Sequence, residues 1–141
     1  MSGINPRFGS GPITFDVAAA VTGGQLVIPD GTDNTKINVA GAAAANVIGV
    51  ALSDAAPAGT DAATDVAARP TQVAVALEGA FNLTYAADAV FGDRLKAAAS
   101  GQVEPMTLGS DADHLCIGTC LEAGGVTSGD KGLTWLDPFG I

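Results

Sequence analysis

A short apolar run, Val47-Ile48-Gly49-Val50-Ala51-Leu52, returns later in the chain as Leu115-Cys116-Ile117-Gly118-Thr119-Cys120-Leu121. The first copy runs into the turn-rich loop Ser53-Asp54-Ala55-Ala56-Pro57-Ala58-Gly59-Thr60-Asp61, the second into a Gly-rich stretch reaching Gly129-Asp130. Ile48-Gly49 and Ile117-Gly118 stand 69 positions apart (117 − 48), and so do Leu26 and Leu95 (95 − 26). Two pairs at one offset point to a duplicated unit. The first run is uncharged and β-branched at three of its first four positions, which reads as a strand buried on both faces. Gly49 and Gly118 allow a close backbone approach, or a bulge, where a larger residue would clash. The two runs are expected to lie near one another at the centre of the fold.

The rest of the chain reads the same way. Ile13-Thr14-Phe15-Asp16-Val17, Lys36-Ile37-Asn38-Val39 and Ala80-Phe81-Asn82-Leu83-Thr84-Tyr85 alternate apolar and polar residues, the period of a half-buried strand. Gln25-Leu26-Val27-Ile28 is stopped by the turn Pro29-Asp30-Gly31. Gln72-Val73-Ala74-Val75-Ala76-Leu77 alternates large and small, as inside a barrel or between sheets. Thr64-Asp65-Val66-Ala67-Ala68 is a short strand before Pro70, and residues 41–46 make one helical turn at most. Arg94-Leu95-Lys96 leads to Ser100-Gly101, which closes a hairpin onto Val103-Glu104-Pro105-Met106. Lys131-Gly132-Leu133-Thr134-Trp135-Leu136 completes the series. About ten short strands with turns every ~8–12 residues describe an all-β chain, a compact β-sandwich or β-barrel. Residues 1–12 form an extended arm, 13–136 the β domain and 137–141 an apolar C-terminal tail.

Composition narrows the function. Only 5% of the 141 residues are aromatic, so the core is thin and built from Val, Leu and Ile. A thin core favours oligomerisation as a source of further burial. The net charge is −9, and the six basic residues are scattered, which argues against nucleic acid and acidic membrane surfaces as partners. No apolar run approaches the ~18 residues of a membrane helix, and the N-terminus lacks signal-peptide features.

No catalytic constellation emerges, and an enzyme is not expected. The single histidine, His114, lies in the polar turn Asp111-Ala112-Asp113-His114, and Gly9-Ser10-Gly11 lacks the strand–helix setting of a nucleophilic serine. A zinc site from Asp111, Asp113, His114, Cys116 and Cys120 is disfavoured because strand spacing spreads the ligands. The same spacing separates Cys116 and Cys120 by ~13 Å, too far for a disulfide. Asp30-Gly31-Thr32-Asp33-Asn34 lacks the sixth-position glycine and twelfth-position glutamate of a calcium loop and reads as a plain Asp-Gly turn. No phosphate-binding loop is present, and no cofactor is expected. The carboxylates Asp54, Asp61, Asp65 and Glu78 carry no mark beyond that of turn residues.

What remains is surface. The arm holds Pro6, Pro12, Gly3, Gly9 and Gly11, which discourage helix, and its apolar residues lack periodic partners. Such a segment either frays as a free terminus or orders on a partner surface, with Ile4, Arg7 and Phe8 as the candidate contacts. Trp135 is expected in the core, whereas Phe139 and Ile141 are expected to dock on a neighbouring surface.

The ordered set Gly23-Gly24-Gln25-Leu26-Val27, Val47-Ile48-Gly49-Val50-Ala51-Leu52-Ser53-Asp54-Ala55-Ala56 and Ala89-Val90-Phe91-Gly92-Asp93-Arg94-Leu95-Lys96 resembles tailed-phage head decoration proteins. More narrowly, it is similar to the small Ala/Gly-rich capsid-stabilising proteins of actinobacterial phages and their prophage relatives. The resemblance covers residues 11–136, and the second copy departs from it with Thr119-Cys120 in place of Val50-Ala51. It implies a structural virion protein, made in the host cytoplasm, that trimerises on the outer capsid surface at three-fold and quasi-three-fold positions. There it cements neighbouring major capsid protein subunits. An acidic chain fits that outer face, being repelled by packaged DNA. The alternative is a β-sandwich binding module for host-surface glycans, for which the aromatic supply is poor.

Overall fold

The computed structural model describes residues 11–59 and 68–139, which carry ten β-strands, two short 3-10 turns and no α-helix. The strands are β1 (Ile13–Val17), β2 (Leu26–Pro29), β3 (Lys36–Val39), β4 (Gly49–Ala51), β5 (Gln72–Ala76), β6 (Gly79–Thr84), β7 (Arg94–Ala97), β8 (Val103–Pro105), β9 (Gly118–Cys120) and β10 (Lys131–Leu136). The β1–β5 half closes into a small barrel in the order β1-β3-β2-β4-β5, and the second half forms a five-stranded sheet, β6-β10-β9-β7-β8. The expected strand over residues 64–68 falls largely outside the described residues.

The second half repeats the first strand for strand. β1 pairs with β3 in parallel at Val17↔Ile37, and the single parallel bridge Tyr85↔Val103 joins β6 to β8 at the matching place. The bridge Val21↔Ala55 is matched by Ala89↔Val126. In the first unit Gly24 N–H donates to the Ala51 carbonyl (2.7 Å) and Ile48 N–H to the Val27 carbonyl (3.0 Å). In the second, Gly92 donates to Cys120 (2.8 Å) and Ile117 to Leu95 (2.9 Å). Even a side-chain lock recurs: Gln25 Oε1 takes the N–H of Thr22, and Asp93 Oδ2 that of Val90, each at 2.8 Å. The expected duplication is thus a repeat of topology, in which Ile48-Gly49 matches Ile117-Gly118 but Leu26 matches Arg94 and not Leu95. β4 and β9 do not pair with each other; they hold equivalent places in two sheets.

Each unit encloses its own apolar centre, but the fillings differ. The first contains Val17, Val21, Val27, Ile37, Ala51, Ala55, Val73 and Val75. At the positions of Val17, Val73 and Val75 the second unit carries Tyr85, Gly132 and Thr134, so one ring takes space that two smaller residues release. Thr134 is the one buried polar residue among those described, and its hydroxyl donates to the Gly132 carbonyl (3.1 Å). Its lone pair therefore accepts from the Tyr85 hydroxyl, 2.6 Å away. Burial pushes the phenol's pKa upward, so this donor stays protonated. Tyr85→Phe should cost about 1 kcal/mol, since Thr134 keeps its backbone acceptor; chemical denaturation measures it.

The outer face of the first barrel is also apolar. Leu26, Ala40, Val47, Val50 and Ala76 join Leu83, Ile117, Cys120 and Leu136 of the second unit in one continuous core. Residues 41–46 make no helical turn. Ala43 takes φ +54 and donates its N–H to the Ala97 carbonyl (2.8 Å), so the segment bridges the two units. The Asp-Gly reading of residues 30–34 holds, with Asp30 Oδ2 accepting the N–H groups of Thr32 (3.2 Å) and Asp33 (2.8 Å).

On β7, Lys96 pairs with Asp111 at 2.9 Å and with Glu104 at 3.8 Å. The Thr107 N–H and then the Lys96 ammonium hold the Asp111 carboxyl below its ordinary 3.8, while Asp111 first of all raises Lys96 above 10.5. A depressed carboxyl stabilises fully above its unfolded value and loses that contribution as pH falls through the folded one. A raised lysine stabilises fully below its unfolded value and loses the contribution as pH rises through the folded one. Stability should therefore be level between these limits and erode below pH 3.8 and above pH 10.5. Asp111→Asn should reduce both losses in denaturant melts.

Candidate partner-binding site

β10 alternates strictly: Gly132, Thr134 and Leu136 point inward, while Lys131, Leu133 and Trp135 point out. Trp135 is thus 42% exposed and not the core residue its size suggested. The parity is fixed by Tyr85, whose hydroxyl needs Thr134 inside, and a one-residue slip would exchange the faces. Trp135 stands between the small cross-strand neighbours Ala80 and Thr119, which do not cover it.

Beside this tryptophan lies an open cleft of about 710 Å³ at the junction of the two units. Leu52 and Leu77 line it from the first unit, Phe81 and Trp135 from the second, and Phe139 from the chain end. Gly11 and Pro12, which precede β1, also line it, so the segments flanking the first and last strands converge on one place. Glu78 and Asp137 are its carboxylates. An apolar floor with two acids suits a partner that offers apolar side chains together with N–H or cationic groups. Of the residues expected at a partner surface, Phe139 lines this cleft and is 64% exposed. Ile4, Arg7, Phe8 and Ile141 lie outside the described residues.

Sequence reading missed Leu52, Phe81 and Glu78 as cleft residues. The one available signal was the apolar character of both faces of β10, where Leu133 and Trp135 oppose Leu136. His114 is exposed in the 3-10 turn Asp113–Leu115. Cys116 and Cys120 are unbridged; Cys120 is buried and Cys116 half-buried, its thiol 3.6 Å from the Gly118 carbonyl. Among the described residues no group of three His, Cys, Asp or Glu side chains is placed to hold a metal ion.

No protein-family model and no curated protein sequence matches the chain. Among solved structures, the fold is similar to that of the head fiber gp8.5 N base in bacteriophage phi29. The TM-score is 0.63 at 18% identity, over 90% of this chain and 93% of that one. At that identity the likeness is one of fold, and it spans both units.

Proposed function

We propose that this chain is a structural virion protein of a tailed phage, a decoration protein that binds the outer surface of the head and stabilises the shell. The observation that carries the reading is the fold shared, along nearly the whole of both chains, with the base of a phage head fiber. The ordered motifs that resemble head decoration proteins lead to the same class from the sequence side. The partner is the major capsid protein, and the cleft lined by Trp135 and Phe139 is the attachment face. The trimer at three-fold and quasi-three-fold positions is part of the same proposal. An acidic exterior suits a protein that stays outside the packaged DNA.

Binding of the purified chain to phage heads that lack it tests the attachment face. Phe139→Ser and Trp135→Ser should each weaken binding at least tenfold, about 1.4 kcal/mol or more, without lowering the melting temperature. Removing residues 1–12 should lower occupancy and leave the fold intact. Unchanged occupancy in all three variants would move attachment elsewhere.

The exposed Trp135 and Phe139 beside two carboxylates also fit a glycan site, where sugars stack on aromatic rings. A glycan array without hits would dismiss that second reading.

A further inference from the structure

The two units repeat, so the face of the first that the second covers has a counterpart on the second. The covered contact is built around the β7–β8 turn. Gly101 N–H donates to the Ala40 carbonyl (2.9 Å), Gln25 Nε2 to the Ser100 carbonyl (3.0 Å), and Gly101 packs on Gln25 and Leu26. In the second unit the places of Gln25, Leu26 and Ala40 belong to Asp93, Arg94 and Met106. The hydrogen bond from Ala40 N–H to the Leu26 carbonyl (2.9 Å) recurs as Met106 to Arg94 (2.8 Å), which fixes that correspondence.

This counterpart face is an open groove of about 670 Å³, lined by Asp93, Arg94, Met106, Leu108 and Cys116, with Asp113 and His114 at its edge. Leu108 is 81% exposed, and Phe91 beside Gly92 is 59% exposed on a hydrogen-bonded turn. We propose that the groove receives a second copy of the chain head to tail, seating the neighbour's β2–β3 turn, residues 30–35, where the first unit seats the β7–β8 turn of the second. The neighbour's turn is the counterpart of that turn, longer by one residue (30–35 against 98–102). The chemistry changes in step on the two sides. Leu26 is replaced by Arg94 on the groove, and the incoming Ala-Ser-Gly is replaced by a turn bearing Asp30 and Asp33. Arg94 faces those acids, while Asp93 and Asp113 on the groove and Lys36 at the start of β3 set the orientation. A contact between two different faces builds a ring when its rotation closes. It involves neither the chain-end cleft nor the shell.

Sedimentation of the full chain tests the contact without phage heads, so its failure is separate from failure of head binding. The wild type should sediment as a closed oligomer, a small multiple of 13.8 kDa. Leu108→Glu spoils the groove and leaves the turn. Gly31→Trp spoils the turn, where an added Cβ meets nothing within 4 Å of its own chain. Each variant should sediment as a single chain, and Arg94→Glu gives the groove result again should Leu108→Glu fail to fold. An equimolar mixture of the groove and turn variants retains one good pair of faces and should yield one-to-one dimers and nothing larger. A monomeric wild type, variants that keep the wild-type mass, or a mixture that stays monomeric would overturn the proposal.

Discussion

Gly118→Ala and Gly49→Ala should each cost about 3 kcal/mol or more, a large share of the roughly 5–15 kcal/mol that holds a domain folded. A Cβ at Gly118 overlaps the Trp135 carbonyl oxygen and lies 3.1 Å from its carbon. At Gly49 it overlaps the Ala76 carbonyl oxygen and comes within 2.8 Å of Val75 Cγ1. In both cases the obstruction is backbone of the neighbouring strand, β10 or β5, which is held in its own ladder and cannot swing aside as a side chain would. Neither glycine takes a positive φ, so the effect is one of space and not of backbone strain. Gly41→Ala is the control: a Cβ there meets nothing within 4 Å, and the change should stay within about 0.5 kcal/mol. Urea midpoints at constant slope read all three. A loss under about 1 kcal/mol at Gly49 and Gly118 would mean that the strands can separate locally, against the close-approach account.

Gly132→Val should also be damaging, and it should be rescued by residues that the first unit already carries. A Cβ on Gly132 overlaps Val126 Cγ2 and lies 3.3 Å from Tyr85 Cε1. In the first unit the matching places hold Val73 with Ala55 and Val17, so the bulk is distributed the other way round. Gly132→Val alone forces overpacking of about 1–3 kcal/mol or more. Adding Val126→Ala and Tyr85→Val transplants the packing of the first barrel and should return a substantial part of that loss, because neighbouring core sites couple by about 0.5–3 kcal/mol. Strict additivity of the three changes would show that the two units do not share one packing plan.

The repeat was legible because its carriers are local. An uncharged β-branched run, a glycine that admits the next strand and a turn survive duplication as a recognisable string, and Ile48-Gly49 aligns with Ile117-Gly118 by inspection. The full correspondence was not legible, because loop lengths differ between the units. β1 and β6 are offset by 68 positions (Val17 to Tyr85), and β5 and β10 by 59 (Gln72 to Lys131), so no single shift aligns the halves. Trp135 was misplaced for another reason. β10 is apolar on both faces, and contacts distant in sequence decide which face is buried: the Tyr85–Thr134 hydrogen bond and the packing of Gly132 against Val126 and Tyr85. Phe139 was legible as an exposed residue, being a large apolar side chain beyond the last strand. Its companions Leu52 and Phe81 were not, since only the packing of the barrel against the second sheet brings them to one cleft.

Electron cryomicroscopy of phage heads saturated with the purified chain bears most directly on the proposed role. Added density is expected on the outside of the shell at three-fold and quasi-three-fold positions, with the Trp135–Phe139 cleft turned toward the major capsid protein. Heads that acquire no density, or density at the tail vertex or inside the shell, would contradict it.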